Sequence, residues 1–244
     1  MVTVNFKLRL RLNLRHIWLA ERPDPRSAFG LAAFYNCECQ ASRPGFLRVA
    51  KRKLVVDLSN GIDSVFADLG TDTRYKIRRA EREGVSLKIE TDQSSFARFY
   101  DSFAISTNLP RIDAKHLETY WPNLTVTSAW SDGELVSSHA WMISSETRRA
   151  SLLWAASKFR EISNSQERNK LARANLYHYF EDMKHAQATG CMEYDFGYFG
   201  ALSPRMEAVN RFKSQFPCKP REISTYYSWP LGILMAMRRL RVPD

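Results

Sequence analysis

The stretch Glu193-Tyr194-Asp195-Phe196-Gly197 decides which fold the rest of the sequence can adopt. It predicts a buried strand that carries the Asp195 carboxylate to its C-terminal tip, where Gly197 permits a tight turn or the close approach of a ligand. In an open mixed sheet, the C-terminal ends of the strands border the crevice that binds ligands. We therefore expect Asp195 in such a crevice, with the alternative that it caps the following helix.

The elements around this strand follow a recognisable order. A strand and two helices come first, then a meander of three strands, a helix, the strand quoted above, another helix and a last strand. This order is similar to that of a GNAT-type acyltransferase, in which a mixed sheet splays between its fourth and fifth strands. The predicted ranges are strand 88–90, helices from 92 or 94 and over 113–120, strands 125–130, 135–143 and 151–156, helix 164–188, strand 191–196, helix 203–214 and strand 223–229.

The N-terminal part is also rich in extended structure. Strict alternation from Val2 to Leu14 predicts one long strand with a buried and a basic face, and residues 46–58 form a second extended region. A helix capped by Ser59 or Asn60 is expected to end at Gly84. The predicted class is α/β (α+β): a GNAT-like fold with a mixed, mostly antiparallel, splayed sheet flanked by helices and a small N-terminal β-containing extension. Three domains are predicted. Residues 1–60 form an extension or a truncated first GNAT-like module, residues 61–230 form the GNAT-like acyltransferase domain, and residues 231–244 form a C-terminal helix.

Composition favours a folded protein with a polyanionic partner. The 244 residues carry a formal net charge of +10 and a pI of about 9.6, which suits nucleic acid, nucleotide phosphates or a membrane surface. A hydrophobic content of 44% excludes wholesale disorder. No stretch approaches ~18 apolar residues, and charges interrupt residues 1–14, so we predict no spanning helix, no secretion signal and a cytoplasmic location.

The sequence predicts neither a metal nor a cofactor. Cys37 and Cys39 have the wrong spacing for a zinc knuckle, and no second pair completes four ligands. His139, His178 and His185 are scattered without a serine or cysteine nucleophile at a readable spacing, which is more typical of core or surface histidines. The sequence contains no P-loop and no dinucleotide-binding fingerprint.

Two segments bear on the identity of the acyl donor that such a transferase would use. Residues 74–82 form a helix end with five cations; these either complement the helix dipole or, as we expect from their clustering, bind phosphate. Residues 166–171 occupy the place where coenzyme A-dependent members of the fold carry a glycine-rich loop that cradles a pyrophosphate. Asn169 and Leu171 fill both glycine positions, which counts against a coenzyme A donor.

In combination, these segments resemble the Fem-type aminoacyl-transferases, the family of the lipid II:glycine glycyltransferases. These enzymes add amino acids from transfer RNA to peptidoglycan precursors and are built from GNAT-like domains. The resemblance spans about residues 54–216. It is carried by residues 55–59 leading into 74–85, by 152–157, by Asn169-Lys170 with Ala174-Asn175, by 194–197 and by Phe212-Lys213-x-x-Phe216.

The resemblance implies an aminoacyl-tRNA donor whose ester carbonyl is attacked by an amine to form an amide. It places Phe212 and Lys213 at the 3′ end of the donor, with Lys213 stabilising the developing oxyanion. Asp195 would orient or deprotonate the attacking ammonium. The implied donor-binding residues are Arg74, Lys76, Arg78, Arg79, Phe212, Asn169 and Lys170, and the implied cleft residues are Trp154, Tyr194, Phe196, Gly197 and Asn175.

The chain departs from the family pattern at two points. Pro217-Cys218 stand where the family usually has glycines, and only about 60 residues precede the shared part, where family members normally carry a first full domain that helps to bind the cell-wall precursor. We therefore hypothesise a smaller amine acceptor, such as a small peptide or an amino-sugar intermediate of natural-product or cell-envelope biosynthesis.

Two other functions stay open on the sequence. One is an N-acyltransferase that uses acyl-CoA or an acyl-carrier-protein, since a carrier protein needs a basic docking face. The other is non-catalytic binding to nucleic acid or to a membrane surface. The sequence is compatible with a peripheral contact between the protein and a membrane. The apolar residues between Leu231 and Leu240 beside Arg238, Arg239 and Arg241 support this second function, with packing of that helix against the sheet as the alternative.

Overall fold

Within the part of the chain that the structure describes, ten strands form one continuous sheet. The computed structural model describes residues 1–8, 12–158, 164–200 and 204–239, and the side chains of Arg238 and Arg239 as well as all of Leu240 and Arg241 lie outside the described residues. The strands are β1 (Val2–Lys7), β2 (Asn13–Trp18), β3 (Leu31–Cys37), β4 (Phe46–Asp57), β5 (Ser86–Ile89), β6 (Thr125–Ser131), β7 (Glu134–Ser144), β8 (Arg149–Ser157), β9 (Glu193–Tyr198) and β10 (Cys218–Ser228).

The sheet is mixed and mostly antiparallel. Its strand order is β1-β2-β3-β10-β4-β9-β8-β7-β6-β5. Only two neighbouring pairs are parallel, β2 with β3 and β8 with β9, and both join strands that are separated along the chain by other structure. The remaining pairs are antiparallel. The predicted fold class is therefore confirmed, including the order of the elements from β5 onward.

Helices cover both faces of the sheet. They are α1 (Ile62–Asp68), α2 (Thr71–Arg82), α3 (Gln93–Ser106), α4 (Ala114–Tyr120), α5 (Ser165–Ala188), α6 (Pro204–Lys213) and α7 (Trp229–Arg239). In β6, Val126 packs with α3 and α4, whereas the next residue, Thr127, contacts Asp182 of α5, so these helices lie on opposite faces. Helices α1 and α2 pack beside α5.

The single long strand predicted from Val2 to Leu14 is wrong. The chain forms two antiparallel strands, β1 and β2, instead, and the Leu8 amide donates to the Leu12 carbonyl at 2.8 Å beside the end of their pairing. Period-two alternation continues from one strand to the other, so the pattern does not reveal the reversal. Strand β3 was not predicted, because most of its residues are buried and it shows no alternation of burial.

The predicted helix from residue 59 or 60 to Gly84 is interrupted. Gly70 has an extended conformation between α1 and α2, which splits the segment into two helices. Gly84 follows α2 with φ of 77°, as expected of a glycine that ends a helix. Asp92, Asp113 and Asn164 accept backbone hydrogen bonds as the N-caps of α3, α4 and α5.

Strands from both sides of residue 60 share the sheet. Strand β10 pairs with β3 on one side and with β4 on the other, so the sheet is continuous across the predicted boundary. The division into 1–60, 61–230 and 231–244 stays a prediction. In α7, Leu231 is buried whereas Ile233 and Met237 are exposed, so the predicted apolar stripe packs against the sheet only in part. Within the described residues, no helix combines the length and apolar character needed to cross a membrane.

Candidate active site

The candidate site lies where β8 and β9 part. The two strands pair only over their first three partners, of which Ser151 and Asp195 are the last. Beyond this point both strands continue without further pairing to each other, and a cleft of about 780 Å³ borders them. Its walls come from β8, β9, α5, α6 and the end of α3. The splay therefore creates a binding volume next to the C-terminal end of β9, as expected from the sequence.

Lys213, the last residue of α6, reaches into this cleft. It is only 7% exposed, and its ammonium donates a hydrogen bond to the Tyr198 carbonyl at 2.9 Å. The pKa of Lys213 is lowered to about 8, mainly by burial and to a lesser extent by the nearby Lys53, while the Asp195 carboxylate opposes the shift. Gly197 has φ of 85°, and a Cβ there would lie 4.0 Å from the Lys213 nitrogen. The cleft thus holds a cation that changes charge near neutral pH.

A second lysine, which the sequence did not single out, holds Asp195. The Asp195 Oδ2 atom accepts from Lys53 Nζ at 2.5 Å, from Ser151 Oγ at 2.9 Å and from Asn36 Nδ2 at 3.2 Å, while Oδ1 accepts from the Gly197 amide at 2.7 Å. We call the side chains of Asp195, Lys53, Ser151 and Asn36 the polar cluster. Because both carboxylate oxygens are bonded within the sheet, Asp195 does not line the cleft; it lies behind it as a fixed negative charge.

Lys53 is buried in the polar cluster. Desolvation lowers its pKa, and the adjacent Asp195 carboxylate offsets part of this effect. Lys53 comes from β4, Ser151 from β8 and Asn36 from β3, where it adopts φ of 58°. The cluster therefore connects four strands at the point where the sheet splays.

A basic groove adjoins the cleft. This groove has a volume of about 380 Å³ and contains Lys76 and Arg79 of α2 and Arg173 of α5. Glu83 accepts from both Arg79 and Arg173, at 2.8 and 2.6 Å, which fixes the two guanidinium groups side by side. The groove and the cleft share the lining residues Asn175, Phe212 and Gln215. A cationic compartment thus meets the cleft beside Lys213.

The predicted donor-binding residues divide into two groups. Lys76, Arg79, Asn169 and Phe212 line the basic groove. The structure does not bring the other three there. Arg74 donates to the Ala67 carbonyl, Arg78 lies over the Phe66 ring, and Lys170 pairs with Asp132 at the β6–β7 turn.

The predicted cleft residues are divided in the same way. Phe196 and Asn175 line the cleft. Trp154 packs with Tyr120 and His116 on the α4 side of the sheet, and Tyr194 is buried with its hydroxyl donating to Asp182 Oδ2 at 3.4 Å. Neither of these two lines the cleft.

The sequence also did not predict a buried histidine cluster that joins β7 to α5. The His139 Nδ1 atom bonds to Asp182 Oδ2 at 2.6 Å, and His178 bonds to Ser137 Oγ at 2.7 Å and Thr127 Oγ1 at 3.0 Å. Burial, with His139 adding to it, lowers the pKa of His178 to about 3, so this ring is neutral. The histidines come from β7 and α5, far apart in sequence, and their spacing gave no signal of this contact.

The histidine cluster reaches the site through Asn175. His139 Nε2 lies 3.4 Å from Asn175 Oδ1, and Asn175 lines both the cleft and the basic groove. The donor atoms of His139, His178 and Asp182 lie within 4.8 Å of one another. However, the two rings are stacked at 3.8 Å with an angle of 7° between their planes. Since an imidazole binds a metal through a lone pair in its own plane, one ion cannot lie in both planes, and the cluster is a hydrogen-bonded network.

The N-terminus of α5 is closed by its own cap. The Asn164 side chain accepts from the amides of Gln166 and Glu167, at 2.9 and 3.2 Å. The segment that replaces the glycine-rich loop, residues 166–171, lies inside the helix. Amides that would cradle a pyrophosphate are thus already bonded, and Glu167 adds a negative charge in the first turn.

The chain is similar in fold to several solved structures. No protein-family model and no curated protein matches it. The crystal structure of FemX matches with a TM-score of 0.66 and 11% identity, over 96% of this chain and 85% of that one. The C-terminal domain of a putative lysylphosphatidylglycerol synthetase from Agrobacterium fabrum matches with a TM-score of 0.52 and 15% identity, over 87% of this chain and 72% of that domain. L-PGS from Bacillus licheniformis matches with a TM-score of 0.52 and 14% identity, over 86% of this chain and 72% of that one. The predicted resemblance to Fem-type transferases is confirmed at the level of the fold.

The depressed pKa of Lys213 can be measured directly. We expect its ammonium to titrate near pH 8, against 10.5 for an ordinary lysine, as observed by the NMR shift of its side chain and assigned with Lys213→Arg. Asp195→Asn should move the midpoint lower, because the carboxylate favours the charged lysine. Asp57→Asn, at the exposed end of β4, is the control and should leave the midpoint unchanged. A midpoint near 10.5 in the wild-type protein would show that Lys213 is solvated.

The histidine cluster should contribute strongly to stability. Asp182→Ala leaves His139 without its buried partner, and we expect a loss of about 3–5 kcal/mol in the free energy of unfolding, measured by urea denaturation. The neighbouring Glu181→Ala removes only a surface pair with Lys184 and should cost less than about 1 kcal/mol. Equal losses in the two variants would contradict a buried network.

Proposed function

We propose that this protein is an acyltransferase that forms an amide bond by transferring an amino acid from aminoacyl-tRNA to an amine acceptor. The observation that carries the proposal is the pairing of Lys213, buried in the cleft, with a separate basic groove that meets it. The fold similarity to FemX and to the domain of a putative lysylphosphatidylglycerol synthetase supports it, since the latter name denotes the synthesis of a lysyl-bearing lipid.

The two compartments suit the two parts of such a donor. Lys76, Arg79 and Arg173 present three cations that can bind phosphates near the 3′ end of the RNA. The ester carbonyl would then lie at the junction, near Phe212 and within reach of the Lys213 ammonium. The remaining space of the cleft is open to the amine.

The chemistry at this junction needs one fixed cation. The amine nitrogen attacks the ester carbon and forms the C–N bond, and the negative charge that develops on the carbonyl oxygen is stabilised by the buried Lys213 ammonium. Collapse of this tetrahedral intermediate restores the C=O double bond and breaks the C–O bond to the ribose. The proton lost by the amine is balanced by the proton gained by the ribose hydroxyl. Lys213 acts only when protonated, so activity should decline above about pH 8.

Asp195 has a supporting part in this proposal. Its carboxylate lies next to Lys53 and raises the pKa of Lys213, so it helps to keep Lys213 charged. The contacts of Asp195 with four donors favour this electrostatic role over proton abstraction from the acceptor. Direct orientation of the ammonium by Asp195 stays a prediction.

The closed N-terminus of α5 favours RNA over coenzyme A as the donor. A pyrophosphate would have to displace the Asn164 side chain from two amides and approach Glu167. The basic groove lies elsewhere, between α2 and α5, and its cations are spaced along a surface rather than around one helix end. A small peptide or an amino-sugar remains the proposed acceptor.

Lys213→Ala tests the chemical step. With transfer RNA charged with labelled amino acids, and dipeptides or glucosamine as acceptors, we expect kcat for amide formation to fall by about 10²–10³-fold. Lys184→Ala, an exposed lysine on α5, is the control and should retain full activity. Ribonuclease should abolish the reaction. A fall of less than about tenfold, or product formed from acyl-CoA without RNA, would contradict the proposal.

Neutralising the basic groove tests donor binding. Lys76→Gln and Arg79→Gln should each raise KM for the charged RNA by about tenfold and reduce its dependence on salt, because each removes a contact to a phosphate. Arg82→Gln changes a cation of the same helix that bonds to the Arg78 carbonyl, and should have little effect. Equal effects of all three variants would indicate a diffuse charge effect.

A further inference from the structure

The cleft extends past Lys213 to the other face of the sheet. Asn175 and Tyr179 of α5 line it on the face that carries the basic groove. Phe103, in α3, and Leu109, just after it, line it on the opposite face. Lys213 therefore lies between two approaches, one cationic and one of different character, which fits a site where two reactants meet.

The far part of the cleft is apolar. Phe103, Leu109 and Ala156 contribute side chains to it, and all three belong to the apolar cluster on the α3 side of the sheet. Among the described residues that line the cleft, none is a carboxylate, and the only charged side chains are Arg211 and Lys213. The basic groove, by contrast, has three cations and the Asp72 carboxylate. The two approaches thus select for opposite chemistry.

This composition disfavours a charged occupant. A second cation would approach Lys213 while the nearest carboxylate, Asp195, is already bonded to Lys53, Ser151 and Asn36. A strongly polar group would lose its hydrogen bonds to water and find few partners on these walls, which is unfavourable. An apolar group, in contrast, gains about 0.8 kcal/mol for each methylene that it buries, which is about fourfold in affinity.

We propose that the far part of the cleft is a subsite for an apolar organic group, aliphatic or aromatic, on the reactant that meets Lys213. The inference deepens the proposed function and rests on it for the identity of the carrier. The group belongs either to the side chain of the transferred amino acid or to the body of the amine acceptor. Binding of the apolar group itself does not depend on catalysis.

Binding is tested first, without the reaction. The probes are n-alkanols from butanol to octanol and the N-acetyl amides of leucine, alanine and lysine, titrated into the intact protein and followed by the NMR signals of its methyl groups. We expect affinity to rise about three- to fourfold for each methylene, and leucine amide to bind better than alanine or lysine amide. No dependence on chain length together with no preference among the amides would overturn the inference.

Two substitutions locate the site of binding. Leu109→Asn should weaken the binding of octanol by about tenfold or more, whereas Ile105→Asn, on the exposed side of α3 and outside the cleft lining, should not. Ala156→Leu narrows the far part of the cleft from the β8 side without adding a polar group, and should weaken long probes more than short ones. Equal loss of affinity in the Leu109 and Ile105 variants would overturn the inference.

Transfer then distinguishes the two carriers. In one arm, a single RNA is charged in turn with leucine, phenylalanine, alanine and lysine at a constant dipeptide acceptor. In the other, the alkyl length of the amine is varied at a constant donor. A preference in the first arm assigns the subsite to the donor, and one in the second assigns it to the acceptor. Transfer without preference in either arm overturns the inference but not the function; length-dependent binding without transfer keeps the subsite and overturns the function.

Discussion

The ion pair between Lys53 and Asp195 is the constraint on which the site depends. Both groups are buried, so each would be costly alone, and their 2.5 Å contact with further bonds from Ser151 and Asn36 compensates much of that cost. The pair stands at the last point where β8 and β9 are joined. It therefore sets both the position of the splay and the electrostatic environment of Lys213.

The cleft and the basic groove differ in chemistry although they share a border. Phe212, Asn175 and Gln215 separate a compartment of paired cations from one with apolar walls. Helix α5 connects this border to the protein interior, because Asn175 contacts His139, which is bonded to Asp182. Such a satisfied buried network restricts the orientation of the Asn175 side chain, since every alternative leaves a polar atom unpaired.

Local patterns explain why much of the fold was predictable. The meander β6–β8 has the Asp132-Gly133 turn between its first two strands, and α3, α4 and α5 begin at Asp or Asn caps. Where the pattern was ambiguous, the prediction was wrong. The alternation from Val2 to Leu14 does not show that the chain reverses, and β3, which is parallel to β2, has no turn or alternation to reveal it.

For the site, the sequence by itself determined that cations cluster on α2, that glycines are missing at residues 166–171 and that Lys213 follows an aromatic residue. Only the tertiary structure decided which of these residues meet. Helical geometry turns Lys76 and Arg79 to the groove and leaves Arg74 and Arg78 on another face. The Lys53–Asp195 pair joins residues 142 positions apart, and His139 meets Asp182 across 43. Such contacts depend on strand register and helix packing, which no local pattern of side chains encodes.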